Sequence, residues 1–124
     1  RFTDDLLDLC ASCDYITIHV PATPTTKGMI GSNEIAAMKE GAAFLNFSRD
    51  TLVDNDAMRA GLESGKVRRY VTDFATPEVM TMEGALVLPH LGASTAEAEE
   101  NCAEMAVREV MDYLETGKKV HCVN

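Results

Sequence analysis

Residues 42–47, Ala-Ala-Phe-Leu-Asn-Phe (AAFLNF), are almost wholly apolar, and they run straight into Ser48-Arg49-Asp50 and then Asp54-Asn55-Asp56. An unbroken apolar run of this length suits a strand covered on both faces of a parallel sheet, not the alternation of a half-wet hairpin. The acids and amide at 54–56 are helix-capping types, and Ala57, Met58, Gly61 and Leu62 follow at helical spacing, closed by Gly65. The unit is therefore strand, turn, helix.

The same rhythm extends in both directions. Upstream, Thr3-Asp4-Asp5 places a capping Thr and early acids before Leu6, Leu7 and Leu9, which predicts a short helix ending near Cys13. Tyr15–Val20 (YITIHV) is rich in β-branched and aromatic residues and halts at Pro21. The turn PATPTTKG (21–28) leads to Ser32-Asn33-Glu34, which opens a short helix through Met38. Downstream, Arg69–Phe74 (RYVTDF) and Ala85–Leu88 (ALVL) read as third and fourth strands joined by a ten-residue loop over 75–84. Strands alternating with helices specify an α/β, doubly wound parallel sheet of about four strands. From Thr95 to Thr116, Ala98, Cys102, Met105, Ala106, Val110, Met111 and Leu114 fall on one stripe, and Gly117 ends it. At 1.5 Å per residue this helix is about 33 Å long, more than so small a domain needs to cover itself.

Composition narrows the partners. A formal net charge of -9, with basic residues paired only at Arg68-Arg69 and Lys118-Lys119, argues against nucleic acid. No apolar run reaches the roughly 20 residues of a membrane span, and no charged leader precedes an apolar stretch, so no membrane partner and a cytoplasmic location are expected. Cys10-x-x-Cys13 has zinc-knuckle spacing, but no second Cys or His pair follows at a suitable distance. No metal is expected, and the thiols read as reduced and mostly buried. The methionines read as core and loop filler, and His121 as a solvated tail residue.

In open parallel sheets ligands bind beyond the carboxyl ends of the strands. Four segments occupy that position: His19-Val20-Pro21, Asn46-Phe47-Ser48-Arg49, Thr72-Asp73 with Glu78 beyond it, and PHLGAST (89–95). Interconverting a 2-hydroxy and a 2-keto acid needs a carboxylate clamp, a proton carrier and a group that tunes that carrier. Arg49 offers a bidentate guanidinium, His90 an imidazole that trades protons near neutral pH, and Glu78 a carboxylate able to hold its second ring nitrogen.

The ordered strings HVP, NFSRD, TDF followed by PE, and PHLGAST resemble the D-isomer-specific 2-hydroxyacid dehydrogenases, and HLGAST is most similar to the phosphoglycerate dehydrogenases among them. The resemblance covers residues 3–124. It implies a partial Rossmann-type sheet, NAD as cofactor, and a D-2-hydroxy acid substrate, first of all 3-phosphoglycerate in serine biosynthesis. It implies catalytic Arg49, Glu78 and His90, a nicotinamide-carboxamide contact at Asp73, and cofactor-lining Val20, Pro21, Phe47, Ser48, Arg49, His90, Leu91, Gly92 and Ala93. It further implies that residues 1–94 form the C-terminal half of the NAD-binding domain, and that 95–124 form a crossover helix and tail returning to a substrate domain. A homodimer or higher homo-oligomer is expected. Two departures stand out: Asp50 replaces the family's usual Gly after Ser-Arg, and Pro77 precedes Glu78 where the family usually has Glu-Pro.

No Gly-x-Gly-x-x-Gly turn occurs in the chain, so the pyrophosphate cradle of a dinucleotide site is expected upstream of Arg1. The chain alone is accordingly expected to be inactive, with an exposed apolar stripe on the long helix. The alternatives are another D-2-hydroxyacid dehydrogenase of glycerate/hydroxypyruvate or lactate type, or a non-catalytic module that senses NAD or self-associates through its bare strand edge and helix.

Overall fold

The computed structural model describes residues 2–92 and 94–122. They fall into two compact units that divide between Pro89 and His90.

The first unit is a four-stranded, all-parallel sheet in the order β1 (Tyr15–Ile18), β2 (Ala42–Asn46), β3 (Val67–Thr72), β4 (Ala85–Val87). Helices α1 (Leu6–Ser12), α2 (Ser32–Ala37), α3 (Asn55–Glu63) and α4 (Pro77–Met80) and a 3-10 turn over Asp50–Leu52 complete it. Because the strands progress in one direction, right-handed crossovers put α2, α3 and α4 on the same face, as in one half of a doubly wound sheet. Burial agrees with that placement. Ile16, Ile18, Phe44 and Tyr70 point into a core shared with Ile35 and Met38 and with Ala57 and Met58. Their neighbours on the other face, Tyr15 and Leu86, are exposed. There Arg68 lies over the Tyr15 ring, 5.7 Å from its centroid, and donates to its hydroxyl at 3.2 Å.

Local chemistry differs from expectation at several points. Helix α1 is capped by Asp5, whose Oδ1 accepts from Leu7 N at 2.8 Å, while Thr3 Oγ1 accepts only from Asp5 N. Both residues are good acceptors, and helix start decides between them. The loop over 75–84 contains α4, capped by Thr76 with Pro77 in the first turn. The thiols are not mostly buried: Cys10 is buried and Cys13 half-buried, but Cys102 and Cys122 are exposed. Met38, Met58 and Met82 are core, whereas Met80, Met105 and Met111 are exposed. Burial chiefly, then Glu34 and Cys13, pushes the Cys10 thiol pKa up.

The second unit holds α5 (Ala96–Thr116), capped by Thr95, which accepts from Ala98 N at 3.1 Å, and ended by left-handed Gly117. None of its residues is buried, so Met105, Val110, Met111, Tyr113 and Leu114 leave the apolar stripe uncovered. His121 is exposed in the tail, as expected, and its Nδ1 meets Glu109 Oε1 at 2.7 Å, tying the tail to α5.

Gly61 on α3 packs closely against both α2 and β3. A Cβ there would sit 2.8 Å from Ile35 Cγ2 and 3.3 Å from Val67 Cγ2. In an open helix Gly→Ala stabilises by about 1 kcal/mol; here Gly61→Ala should instead destabilise by about 1–2 kcal/mol through overpacking. Urea unfolding checks the sign, and a higher midpoint would contradict it. Alkylation followed by mass spectrometry should label exposed Cys102 well before Cys10, whose thiolate burial disfavours; the reverse order would contradict the packing of α1.

Candidate functional site

At the carboxyl end of β2 the chain must leave the sheet without stranding its polar groups. Asn46, fully buried at the last position of the strand, does this with its side chain. Its Nδ2 donates to Arg49 O at 2.8 Å and its Oδ1 accepts from Ser48 N at 3.1 Å. An amide carries a donor and an acceptor on separate atoms, so it can donate to a carbonyl and accept from an N–H in one turn. Ser48 Oγ then donates to Val20 O at 2.7 Å, fastening the loop after β2 to the loop after β1.

That frame presents Arg49 at the rim. Its guanidinium is exposed and, among the described residues, makes one hydrogen bond, from Nη1 to Ser48 O at 2.6 Å, leaving further donors for an anion. Asp50 does not pair with it: Asp50 Oδ1 accepts from Thr51 N at 2.8 Å, as the first residue of the 3-10 turn. Val20 is half-buried against the core, Phe47 is exposed, and Pro21 O accepts from Thr26 Oγ1 at 2.7 Å.

Past β3, Asp73 is half-buried, with its Oδ1 shut off from solvent. Thr72 Oγ1 accepts from Phe74 N at 3.2 Å and sets the turn that carries it. Glu78 lies exposed on α4, and its position is set from α3: Arg59 Nη2 donates to Glu78 O at 2.9 Å and to Thr81 Oγ1 at 3.1 Å. Glu78, Asp50, Thr51, Asp54 and Lys27 line one shallow cleft of about 540 Å³, so the Arg49 loop and α4 flank a common opening. The acid Glu83 is also exposed, one residue before the left-handed Gly84.

His90, Leu91 and Gly92 open the second unit, and all three are exposed. Ala93 lies outside the described residues. His19 sits two residues past Thr17, and its Nε2 and Thr17 Oγ1 are 2.9 Å apart, a local contact that fits a structural role.

Two roles escaped the sequence reading: Asn46, quoted there only as a strand-end residue, organises the loop, and Arg59 anchors α4. A polar residue inside an apolar strand is the signal for the first. Burial pushes the Tyr70 phenol pKa up, hydrogen bonds with the Asn46 and Thr72 side chains oppose that rise, and Asp50 adds to it.

The sequence pattern of the D-isomer specific 2-hydroxyacid dehydrogenase, NAD binding domain, matches residues 1–92. D-3-phosphoglycerate dehydrogenase of Methanocaldococcus jannaschii is 34% identical over 120 residues, covering 92% of this chain and 23% of that protein. Glyoxylate/hydroxypyruvate reductase B of Cronobacter sakazakii is 33% identical over 127 residues, covering 97% of this chain and 39% of that one. The solved glyoxylate reductase from Paecilomyes thermophila superposes with a TM-score of 0.80 at 27% identity, over 93% of this chain and 37% of its own. The chain thus spans between 23% and 39% of the length of these two curated relatives. A four-stranded parallel sheet with Arg49 and Asp73 just past its strand ends and Glu78 on the helix that follows β3, matched by one family's pattern through residue 92, places the chain in the NAD-binding domain of the D-isomer-specific 2-hydroxyacid dehydrogenases.

Proposed function

We propose that this chain is the C-terminal half of the nucleotide-binding domain of an NAD-dependent dehydrogenase that interconverts a D-2-hydroxy acid and a 2-keto acid, with 3-phosphoglycerate and 3-phosphohydroxypyruvate as the pair. The observation that carries the reading is the built rim: Asn46 and Ser48 spend their side chains on holding Arg49, whose guanidinium is left with donors facing solvent.

The residues fit one end of the cofactor. Asp73, beside the strand end, is the residue that meets the carboxamide in this reading, and Val20 and Phe47 supply apolar surface. Pro21, Ser48, Leu91, Gly92 and Ala93 complete the lining in this reading. The pyrophosphate end is not provided, because the chain has no Gly-rich turn. When bound, NAD supplies the hydride acceptor.

This chain's own groups do the rest. Arg49 holds the substrate carboxylate through paired N–H groups and polarises the neighbouring oxygen as charge gathers there. His90 takes the hydroxyl proton during oxidation and returns it during reduction. Glu78 holds the other ring nitrogen and favours the imidazolium, so His90 stays a competent acid near neutral pH.

Asp50 supports a second reading of the substrate. A carboxylate next to the anion clamp, in a cleft that also holds Asp54 and Glu78, opposes a multiply charged phosphorylated acid and suits a monoanion such as glycerate or glyoxylate. Steady-state assays on the longer polypeptide that carries this segment decide between the two, by comparing kcat/KM for 3-phosphoglycerate and D-glycerate. In that protein Arg49→Lys should lower kcat/KM on the order of 100-fold, since a point charge cannot make the paired contact. Unchanged kcat/KM would contradict the clamp. The 124-residue chain alone should show no NAD reduction and a Kd for NAD weaker than about 1 mM by calorimetry, since it lacks the phosphate cradle. Tight binding or turnover by the chain alone would contradict the half-domain reading.

A further inference from the structure

Helix α4 has four residues, too few to be held by its own ladder. Met80 N donates to Thr76 O at 3.0 Å, but the carbonyls of so short a helix must find partners outside the α pattern. Burial fixes one side of the segment, where Val79 and Met82 sit in the core. Glu78 is on the exposed side.

The carbonyl of Glu78 itself is held twice. Arg59 Nη2 donates to Glu78 O at 2.9 Å, and Thr81 Oγ1 donates to the same oxygen at 2.9 Å. A carbonyl oxygen has two lone pairs, and here both are taken. Arg59 Nη2 also donates to Thr81 Oγ1 at 3.1 Å, which closes a three-cornered knot, and Nη1 reaches Thr81 O at 3.5 Å. The platform behind the knot is firm: Arg59 stands on α3, which Asp54 caps and whose Ala57 and Met58 are buried. Water would satisfy an exposed carbonyl, so two protein donors on this one are a constraint on the backbone at Glu78.

We propose that Arg59 is a positioning residue that, together with Thr81, fixes the backbone at Glu78 so that its carboxylate is aimed at the proton-carrying imidazole. It rests on the reading of Glu78 as the partner of His90. Holding the carbonyl fixes the peptide plane after Glu78 and with it the direction in which the side chain leaves the helix. Once that plane is free, a misplacement of about 1 Å is enough to weaken the pairing. Lys27, Asp50, Asp54 and Asp56 line the same cleft as Glu78, and they remain in both variants below.

In the longer polypeptide that carries this segment, Arg59→Met keeps the aliphatic stem and removes the donors. During reduction the imidazolium gives its proton to the substrate, so turnover falls as pH rises through the point where that proton is lost. With Glu78 no longer aimed, the proton is lost earlier, and the alkaline limb of kcat should move down by about half a pH unit. Near neutral pH kcat should fall about fivefold, while KM for the 2-keto acid, which Arg49 sets, stays within about twofold. Thr81→Val removes one of the two donors to Glu78 O from an exposed position and should move the limb the same way by less, which keeps the test open if Arg59→Met fails to fold.

A kcat lowered equally at every pH overturns the proposal, because that reports less folded enzyme and not a changed acid. An unmoved profile in both variants, or a raised KM with kcat intact, overturns it as well and leaves the proposed function standing. If the unsubstituted protein turns over no 2-keto acid, the functional reading fails, and the role of Arg59 falls with it.

Discussion

Where strands of a parallel sheet end, their backbone groups still require partners, and at the end of β2 that requirement falls on the buried Asn46 side chain. Its two hydrogen bonds, 2.8 Å to Arg49 O and 3.1 Å to Ser48 N, turn the chain out of the core within three residues. Ser48 extends the same frame to Val20. Leaving either amide atom unsatisfied in that position costs about 1–3 kcal/mol, so the turn is narrowly specified. The Arg49 loop inherits its position from this one amide.

A division of labour follows. Arg49, Asp50 and Phe47 beyond β2, and Glu78 on α4, are exposed and can meet a ligand, while Asn46, which holds the Arg49 loop, and Thr72, which holds Phe74 N, are buried. Arg59 plays the aiming role for α4 from the surface. The second unit has a different economy: α5 satisfies its backbone and caps but buries none of its residues, so its apolar stripe is chemistry awaiting cover.

The strands were legible because each is a short apolar or β-branched run bounded by Pro, Gly or acids, and because AAFLNF has no alternation to mislead. Their ends were less so: His19, Val20, Phe47, Asp73, Phe74 and Leu88 fall just beyond the regular ladder. Thr76-Pro77 carried a helix-start signature, but four residues are too few for periodicity, and α4 passed as loop. Arg59 holding Glu78 O depends on the packing of one element against another, and no local spacing encodes that contact. The bare stripe of α5 was legible, because the helix is longer than so small a domain can cover, although the reading of the thiols as mostly buried overlooked Cys102 on that same stripe.

The central claim is that a guanidinium, a carboxylate and an imidazole far apart in sequence serve one reacting carbon. A crystal structure of the longer protein with NAD and oxamate, a 2-keto acid mimic, tests it most directly. The account predicts two Arg49 N–H groups on the oxamate carboxylate at about 2.9 Å, with Glu78 within about 3.2 Å of one His90 ring nitrogen. Arg49 turned away from the ligand, or Glu78 and His90 on different sides of the cleft, would contradict it.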